Sequence, residues 1–279
     1  MTGARVTGTW TPMILCVAPN GARKTKADHP ALPISPDDLA ETARRCRDAG
    51  AAMMHLHVRD DEERHCLDVD RYRAAIERIR DAVGDSLVLQ VTTEAVGCYR
   101  ADEQMAVVRE LGPEAVSLAV RELVTCEADE PLAGAFFQSL AEAGTLVQYI
   151  LYSAADLERF FALKAKGVIP AAHRSVLYVL GRYSAGQRSE PAELLPFLSV
   201  PGGQDLCWSY CAFNEGEGRT VPLALSLGGH ARVGFENNLL LNDGLPAPDN
   251  AALVAQAAGI ARAAGRPLAD AAAVRALMA

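Results

Sequence analysis

The chain has 279 residues, 50% of them hydrophobic and 22% charged, enough to bury a large core in the ordinary globular class. Its formal net charge of -8 leaves no basic face of the size that tracks a phosphate backbone, so nucleic acid is not an expected partner. Seven cysteines (Cys16, Cys46, Cys66, Cys98, Cys126, Cys207, Cys211) form no C-x-x-C pair and mostly sit inside apolar runs, which predicts reduced, buried thiols in a cytoplasmic protein rather than a disulfide frame.

The amino terminus, "MTGARVTGTWTPMILCVAPNG", carries only a short apolar run broken by proline and glycine. Neither a signal peptide nor a membrane span is expected there, and no later run is long enough to be a span. Its apolar part, "MILCVAP" (13–19), is the first strand candidate. A helix is predicted next: Ser35 fits the N-cap, Pro36 the first helical position, Asp37 and Asp38 the dipole, and Gly50 the end. Seven further apolar, β-rich runs follow: "AAMMHLHV" (51–58), "LVLQVTT" (87–93), "AVSLAV" (115–120), "TLVQYILY" (145–152), "SVLYVLG" (175–181), "DLCWSYCAF" (205–213) and "HARVGFEN" (230–237). Between and after them lie helical stretches near 68–83, 101–111, 133–143, 154–166, 190–198, 219–227 and 250–264. Eight strands, each followed by a helix and with no linker-like stretch, predict an α/β fold of the (β/α)₈ TIM-barrel kind. The whole chain, 1–279, is read as one domain with carboxy-terminal helices. An open doubly wound sheet is the runner-up, and the Gly-rich first turn such folds need is missing.

A barrel keeps its active site at the carboxy-terminal ends of its strands. His55 and His57 end strand 2, and the two-residue period of a strand points both the same way. On strand 8, His230, Arg232, Gly234 and Glu236 share a face by the same parity, with Glu236 last. Strands 2 and 8 both flank strand 1 in a closed barrel. Two imidazoles and a carboxylate can therefore converge as ligands of a divalent metal: zinc by ligand type, with iron, manganese or cobalt also open. The competing explanation is one hydrogen-bonded core histidine and one loop histidine.

Arg23, Lys24 and Lys26 lie over the mouth, as a substrate-anion site or as a solvated basic loop. Thr92 and Glu94 in "VTTEA" could meet substrate or cap the next helix. Arg182 of "GRY" reads as a surface arginine before a phosphate ligand. "PGG" (201–203) and "LGG" (227–229) read as bottom-face turns, and "CWSYC" (207–211) as core.

With "HLHVRD", "GGHARVGFENN" and "NGARKTKADHPALPISPDDLAETARRCRDAGAA" together, nearly the whole chain resembles the β-keto acid cleavage enzymes. The resemblance implies a (β/α)₈ barrel, homo-oligomeric as a dimer or tetramer, holding a divalent metal, typically Zn²⁺. It implies acyl transfer between a β-keto acid and acetyl-CoA, giving acetoacetate and a new acyl-CoA. His55, His57 and Glu236 match the family's metal ligands, and Arg232 its strand 8 arginine near the reacting groups. Thr92, with Thr93 beside it, falls in a stretch that is Ser-Thr-Gly-Gly in many members and binds substrate. Arg23 falls where the activity on an amino-substituted keto acid has a glutamate facing the amine. The chain departs from the pattern at Asn237, commonly aspartate, at "TTEA" and at "VREL" (120–123). An amide cannot act as a base. Hence Glu94 is expected to supply a catalytic carboxylate, with Asn237 reshaping the centre and Arg23 selecting an anionic or polar tail.

The alternatives are a metal-dependent barrel hydrolase, a retro-aldolase and a non-enzymatic barrel that keeps its metal to bind a ligand. The hydrolase needs more histidine ligands at the mouth, whereas His173 precedes strand 6 and His230 begins strand 8.

Overall fold

The structure, a computed structural model, describes residues 10–279; the start of the amino-terminal segment, residues 1–9, lies outside the described residues. Eight parallel strands close into one barrel: β1 Leu15–Val17, β2 Met53–Leu56, β3 Val88–Thr92, β4 Ala115–Ala119, β5 Leu146–Leu151, β6 Ser175–Leu180, β7 Cys207–Ala212 and β8 His230–Val233. Closure is made at β1, which pairs Cys16 with Arg232 of β8 on one side and with Met53 of β2 on the other. The expected (β/α)₈ architecture is present, with every strand ending before its apolar run does and five of the eight also starting later.

The helices follow the expected signals. In α1, Pro36–Ala49, the Ser35 side chain accepts from the Asp38 N–H in a capping box, and Gly50 ends the helix at φ +121°. The rest are α2 Val69–Val83, α3 Ala101–Leu111, α4 Glu130–Ala143, α5 Ala154–Ala165, α6 Leu194–Ser199, α7 Gly216–Ser226, α8 Asn250–Ala263 and α9 Ala271–Met278. Among the described residues, no helix is long and apolar enough to cross a membrane. "VREL" forms a single helical turn after β4, and Val58–Arg59 pairs antiparallel with His65–Cys66 in a short ribbon beyond β2.

Outward residues such as Leu15, Met54, Leu89 and Val116 make the main core against the helices. Inward residues stack in layers. Ile14, Met53, Val88 and Leu146 fill the bottom, which Val274 and Met278 of α9 close. Above them is a polar layer in which Gln90 Nε2 donates to Gln148 Oε1 (3.4 Å) and Gln148 Nε2 reaches Ser175 and Ser209. The expected bottom turns are there. Gly202 and Gly228 take φ +84° and +87°, and a Cβ on Gly229 would stand 2.1 Å from the Trp208 ring.

Strand 8 corrects the sequence reading, because it stops at Val233 and does not run to 237. Gly234 takes φ +134°, where a Cβ would lie 2.5 Å from the Ala18 carbonyl, and its N–H goes to Glu217 Oε2 (3.0 Å) instead of a neighbouring strand. Residues 234–238 are a turn, and Glu236 is carried by that turn.

Candidate metal centre

His55 of β2 lies in register with Gln90 of β3, and its Nδ1 is 2.9 Å from Gln90 Oε1. That oxygen accepts only, so the His55 proton sits on Nδ1 and Nε2 presents a lone pair. His57 follows β2, its Nδ1 3.3 Å from Nδ1 of His65. His65 Nε2 donates to the Glu94 carbonyl (3.0 Å), which leaves its Nδ1 as an acceptor. His57 must therefore donate from Nδ1, and its Nε2 also presents a lone pair. The two Nε2 atoms are 3.1 Å apart, and Glu236 Oε2 stands 3.6 Å from His55 Nε2 and 3.5 Å from His57 Nε2.

Three electron-pair donors thus face one point with no proton among them. Glu236 Oε2 is buried and has no hydrogen-bond partner, and the three ligand atoms lie within 4.8 Å of one another. Unpaired buried acceptors are costly, and a divalent cation satisfies all three at once. Two imidazoles whose other nitrogens are fixed by a second layer of partners, plus one carboxylate, is a donor set that suits such an ion with open positions for substrate.

The electrostatics agree. Burial, with Arg232 next, pushes His55 down to about 3. Burial alone would raise the Glu236 carboxyl, but the Arg232 guanidinium is the largest opposing influence and the group lies well below the usual carboxylate range. Arg232 Nη2 donates to Glu236 Oε1 at 2.8 Å, and Nε and Nη1 are buried without partners. The loop after β1 seats the carboxylate. A Cβ on Gly21 would lie 2.5 Å from Glu236 Cγ, Lys24 Nζ donates to the Glu236 carbonyl (2.7 Å), and Asn20 Nδ2 donates to the His57 carbonyl (3.0 Å).

One cavity at the mouth is lined by His55, His57, Glu236 and Arg232 together with Arg23, Lys24, Thr92, Glu94 and Arg182, and it has an apolar wall of Ile150, Tyr152, Val179 and Phe213. Thr92 accepts the Glu94 N–H at its hydroxyl (3.0 Å) while lining the cavity. Thr93 and Asn237 fall outside the lining. The Thr93 hydroxyl donates to the Ser117 carbonyl (3.3 Å), and Asn237 Oδ1 accepts from Arg232 Nη2 at 3.4 Å. Lys26 is drawn from the mouth into an ion pair with Asp38 (2.8 Å). Arg182 corrects the surface reading: its side chain is 19% exposed and lies in the lining. Cys211 belongs to the inner wall as well as to the core, with Arg232 Nη2 3.4 Å from its sulfur. His173 binds the Tyr149 hydroxyl and His230 accepts the Ile14 N–H, away from the mouth, so neither joins the centre.

Residues 12–279 match the family described as beta-keto acid cleavage enzyme. The chain belongs to that family. Among beta-keto acid cleavage enzyme relatives, the 3-oxoadipate:acetyl-CoA acetyltransferase of Cupriavidus necator is 31% identical over 96% of this chain and 94% of its own. The 3-keto-5-aminohexanoate cleavage enzyme of Fusobacterium nucleatum is 29% identical over 92% and 94%. Among solved structures, the ternary complex of ObcA with C4-CoA adduct and oxalate superposes with a TM-score of 0.68 at 19% identity, covering 89% of this chain and 67% of that one, which speaks to the fold. The chain is an enzyme of the acyltransferase class, as expected.

Proposed function

We propose that the protein is a divalent-metal-dependent acyltransferase that converts a β-keto acid and acetyl-CoA into acetoacetate and a new acyl-CoA. The observation that carries this reading is the convergence of three unprotonated donors from His55, His57 and Glu236 beside the partnerless Arg232 donors. The names of the Cupriavidus and Fusobacterium relatives support the substrate classes. The reaction requires loss of a C2 proton, attack of the resulting carbanion on the acetyl thioester, return of the CoA thiolate to the former keto carbon, and cleavage that releases acetoacetate.

A divalent ion, Zn²⁺ by ligand type, would be held by His55, His57 and Glu236 and would supply Lewis acidity toward the keto and carboxylate oxygens. Burial opposes its charge, but the neighbouring Glu236 carboxylate keeps Arg232 charged, and it offers Nε and Nη1 to negative charge developing on a substrate oxygen. Glu94 offers the carboxylate for the C2 proton. Asn237 has no basic atom to offer, and its amide oxygen instead orients Arg232. Thr92 keeps its hydroxyl proton for a substrate oxygen, Thr93 shapes the end of β3, and Arg23 meets the substrate's tail. The chain is read as one domain acting in the cytoplasm as a homo-oligomer, which the family resemblance and the scattered thiols support.

The test is a mass-spectrometric screen of metal-loaded protein with acetyl-CoA and β-keto acids bearing anionic, neutral or cationic tails, with His57→Ala as control. Acetoacetate with a matching acyl-CoA, absent in the control, is the expected result. Bound metal without product on any substrate would overturn the reading in favour of a ligand-binding barrel.

A further inference from the structure

We propose that Arg182 and Arg23 form an anion subsite at the cavity mouth for a carboxylate at the far end of the substrate, so that the preferred keto acid is a β-keto dicarboxylate. The inference rests on the acyl-transfer reading above and names its substrate class. Arg182 enters the cavity because Gly181, at φ +79°, turns the chain inward after β6. Its guanidinium lies 5.5 Å from the centre of the Phe213 ring, and Nη2 is 3.4 Å from Glu94 Oε1. Arg23 Nη2 is 3.6 Å from the same oxygen.

Two guanidiniums thus share one carboxylate oxygen, each at a distance beyond the 2.7–2.9 Å of a settled charge-assisted hydrogen bond. The fork of Arg182 has five donors, and the Glu94 contact occupies one nitrogen. The local balance is positive. Lys24 adds to it while donating to the Glu236 carbonyl. Of the nearby acids, Asp156 is taken by Arg121 and Glu122 Oε2 faces the Ala95 N–H (3.1 Å). A cationic tail would meet two arginines before Glu94; an anionic one completes the arrangement. Ile150, Val179 and Phe213 line the same cavity as the histidines and the arginines, a setting for the methylenes between the reacting end and the tail. A CoA phosphate is the other source of negative charge, and the depth of Arg182, 19% exposed in a lining shared with His55 and His57, favours the keto acid.

The test compares adipate and hexanoate as unreactive probes by calorimetry, and six-carbon β-keto acids with and without a terminal carboxylate as substrates, in the metal-loaded wild type and Arg182→Gln. The wild type should favour the dicarboxylic member of each pair by roughly 10- to 100-fold, the value of one or two hydrogen bonds to charged groups, and Arg182→Gln should erase most of that ratio. Equal binding of adipate and hexanoate by the wild type overturns the proposal. So does a variant that keeps the ratio while its KM for acetyl-CoA rises. If no keto acid turns over but the adipate preference is present and lost in Arg182→Gln, the subsite stands and the acyl-transfer reading falls.

Discussion

His57 Nδ1 lies 3.3 Å from His65 Nδ1, a contact that can be a hydrogen bond only if one of the two nitrogens carries no proton. The Glu94 carbonyl decides which, because it takes the proton on His65 Nε2. His65 thereby sets the tautomer of His57 without touching the central point. Replacing His65 with Ala should lower affinity for Zn²⁺ by about 10- to 100-fold, the usual cost of losing such a partner. Competition with a chelating dye measures it, with circular dichroism confirming the fold. Unchanged affinity would mean that His57 does not depend on His65.

The fit of Gly21 against Glu236 makes a second prediction. Gly21 has φ +62°, and an added Cβ would stand 2.5 Å from Glu236 Cγ and 3.3 Å from its Cα. Gly21→Ala should destabilise the protein by roughly 1–2 kcal/mol through the left-handed backbone alone. It should also displace the carboxylate and reduce bound metal, read as moles of Zn²⁺ per chain after dialysis. Full occupancy would show that the loop yields instead.

Glu217 is a third case, a buried residue of α7 that holds the turn bearing Glu236. Its Oε2 accepts the Gly234 N–H (3.0 Å) and its Oε1 accepts from Asn238 Nδ2 (3.1 Å). Glu217→Ala leaves the Gly234 N–H buried and unpaired, at about 1–3 kcal/mol, and leaves Asn238 Nδ2 with only its bond to the Leu240 carbonyl, and Glu217→Gln, which keeps one acceptor, should fall between it and the wild type. Urea unfolding gives the order. Equal stability of all three would remove Glu217 from the support of the turn.

The parity of "HLH" puts two imidazoles on one face, and the end rule for barrels puts them at the mouth. The same parity on strand 8 pairs Arg232 with Glu236, and these two do meet (2.8 Å), although a turn at Gly234 brings Glu236 there. What the sequence hides are the partners. Gln90 reads as a polar interruption in "LVLQVTT", and only the register of β3 against β2 sets it beside His55. His65 sits in the charged stretch "DDEERHCLD" and reaches the centre because residues 60–64 fold back as a turn: the Asp60 N–H donates to the Arg64 carbonyl and Arg59 pairs with His65. Arg182 looks like a surface residue until the inward turn at Gly181 is known. Local patterning shows which face a residue is on; register and chain reversal determine what it touches.

The buried ionisable groups set a pH profile for the metal-free protein. Burial lowers His55, His65 and His230 to about 3 and His173 to about 4. Unfolded, each takes a proton below its ordinary value near 6.5, so the stability they allow is complete above that pH and is lost as pH falls toward 3–4. Glu217 has the opposite sign. Burial raises it to about 8, so the folded state holds a proton that the unfolded chain releases above about 4.5, and stability declines as pH rises toward 8. Between about 4.5 and 6.5 four histidines oppose Glu217 and Glu122, whose carboxyl burial also raises, and win, at about 1.4 kcal/mol per pH unit for each group. Above 6.5 the histidines are spent and Glu217 is left to set a shallow decline. Urea unfolding in the presence of a chelator should therefore show greatest stability near pH 6.5. His173→Gln combined with His230→Gln should flatten the acid limb, and Glu217→Gln the alkaline one. If the acid limb keeps its slope in the double histidine variant, these two side chains are not held neutral in the folded protein.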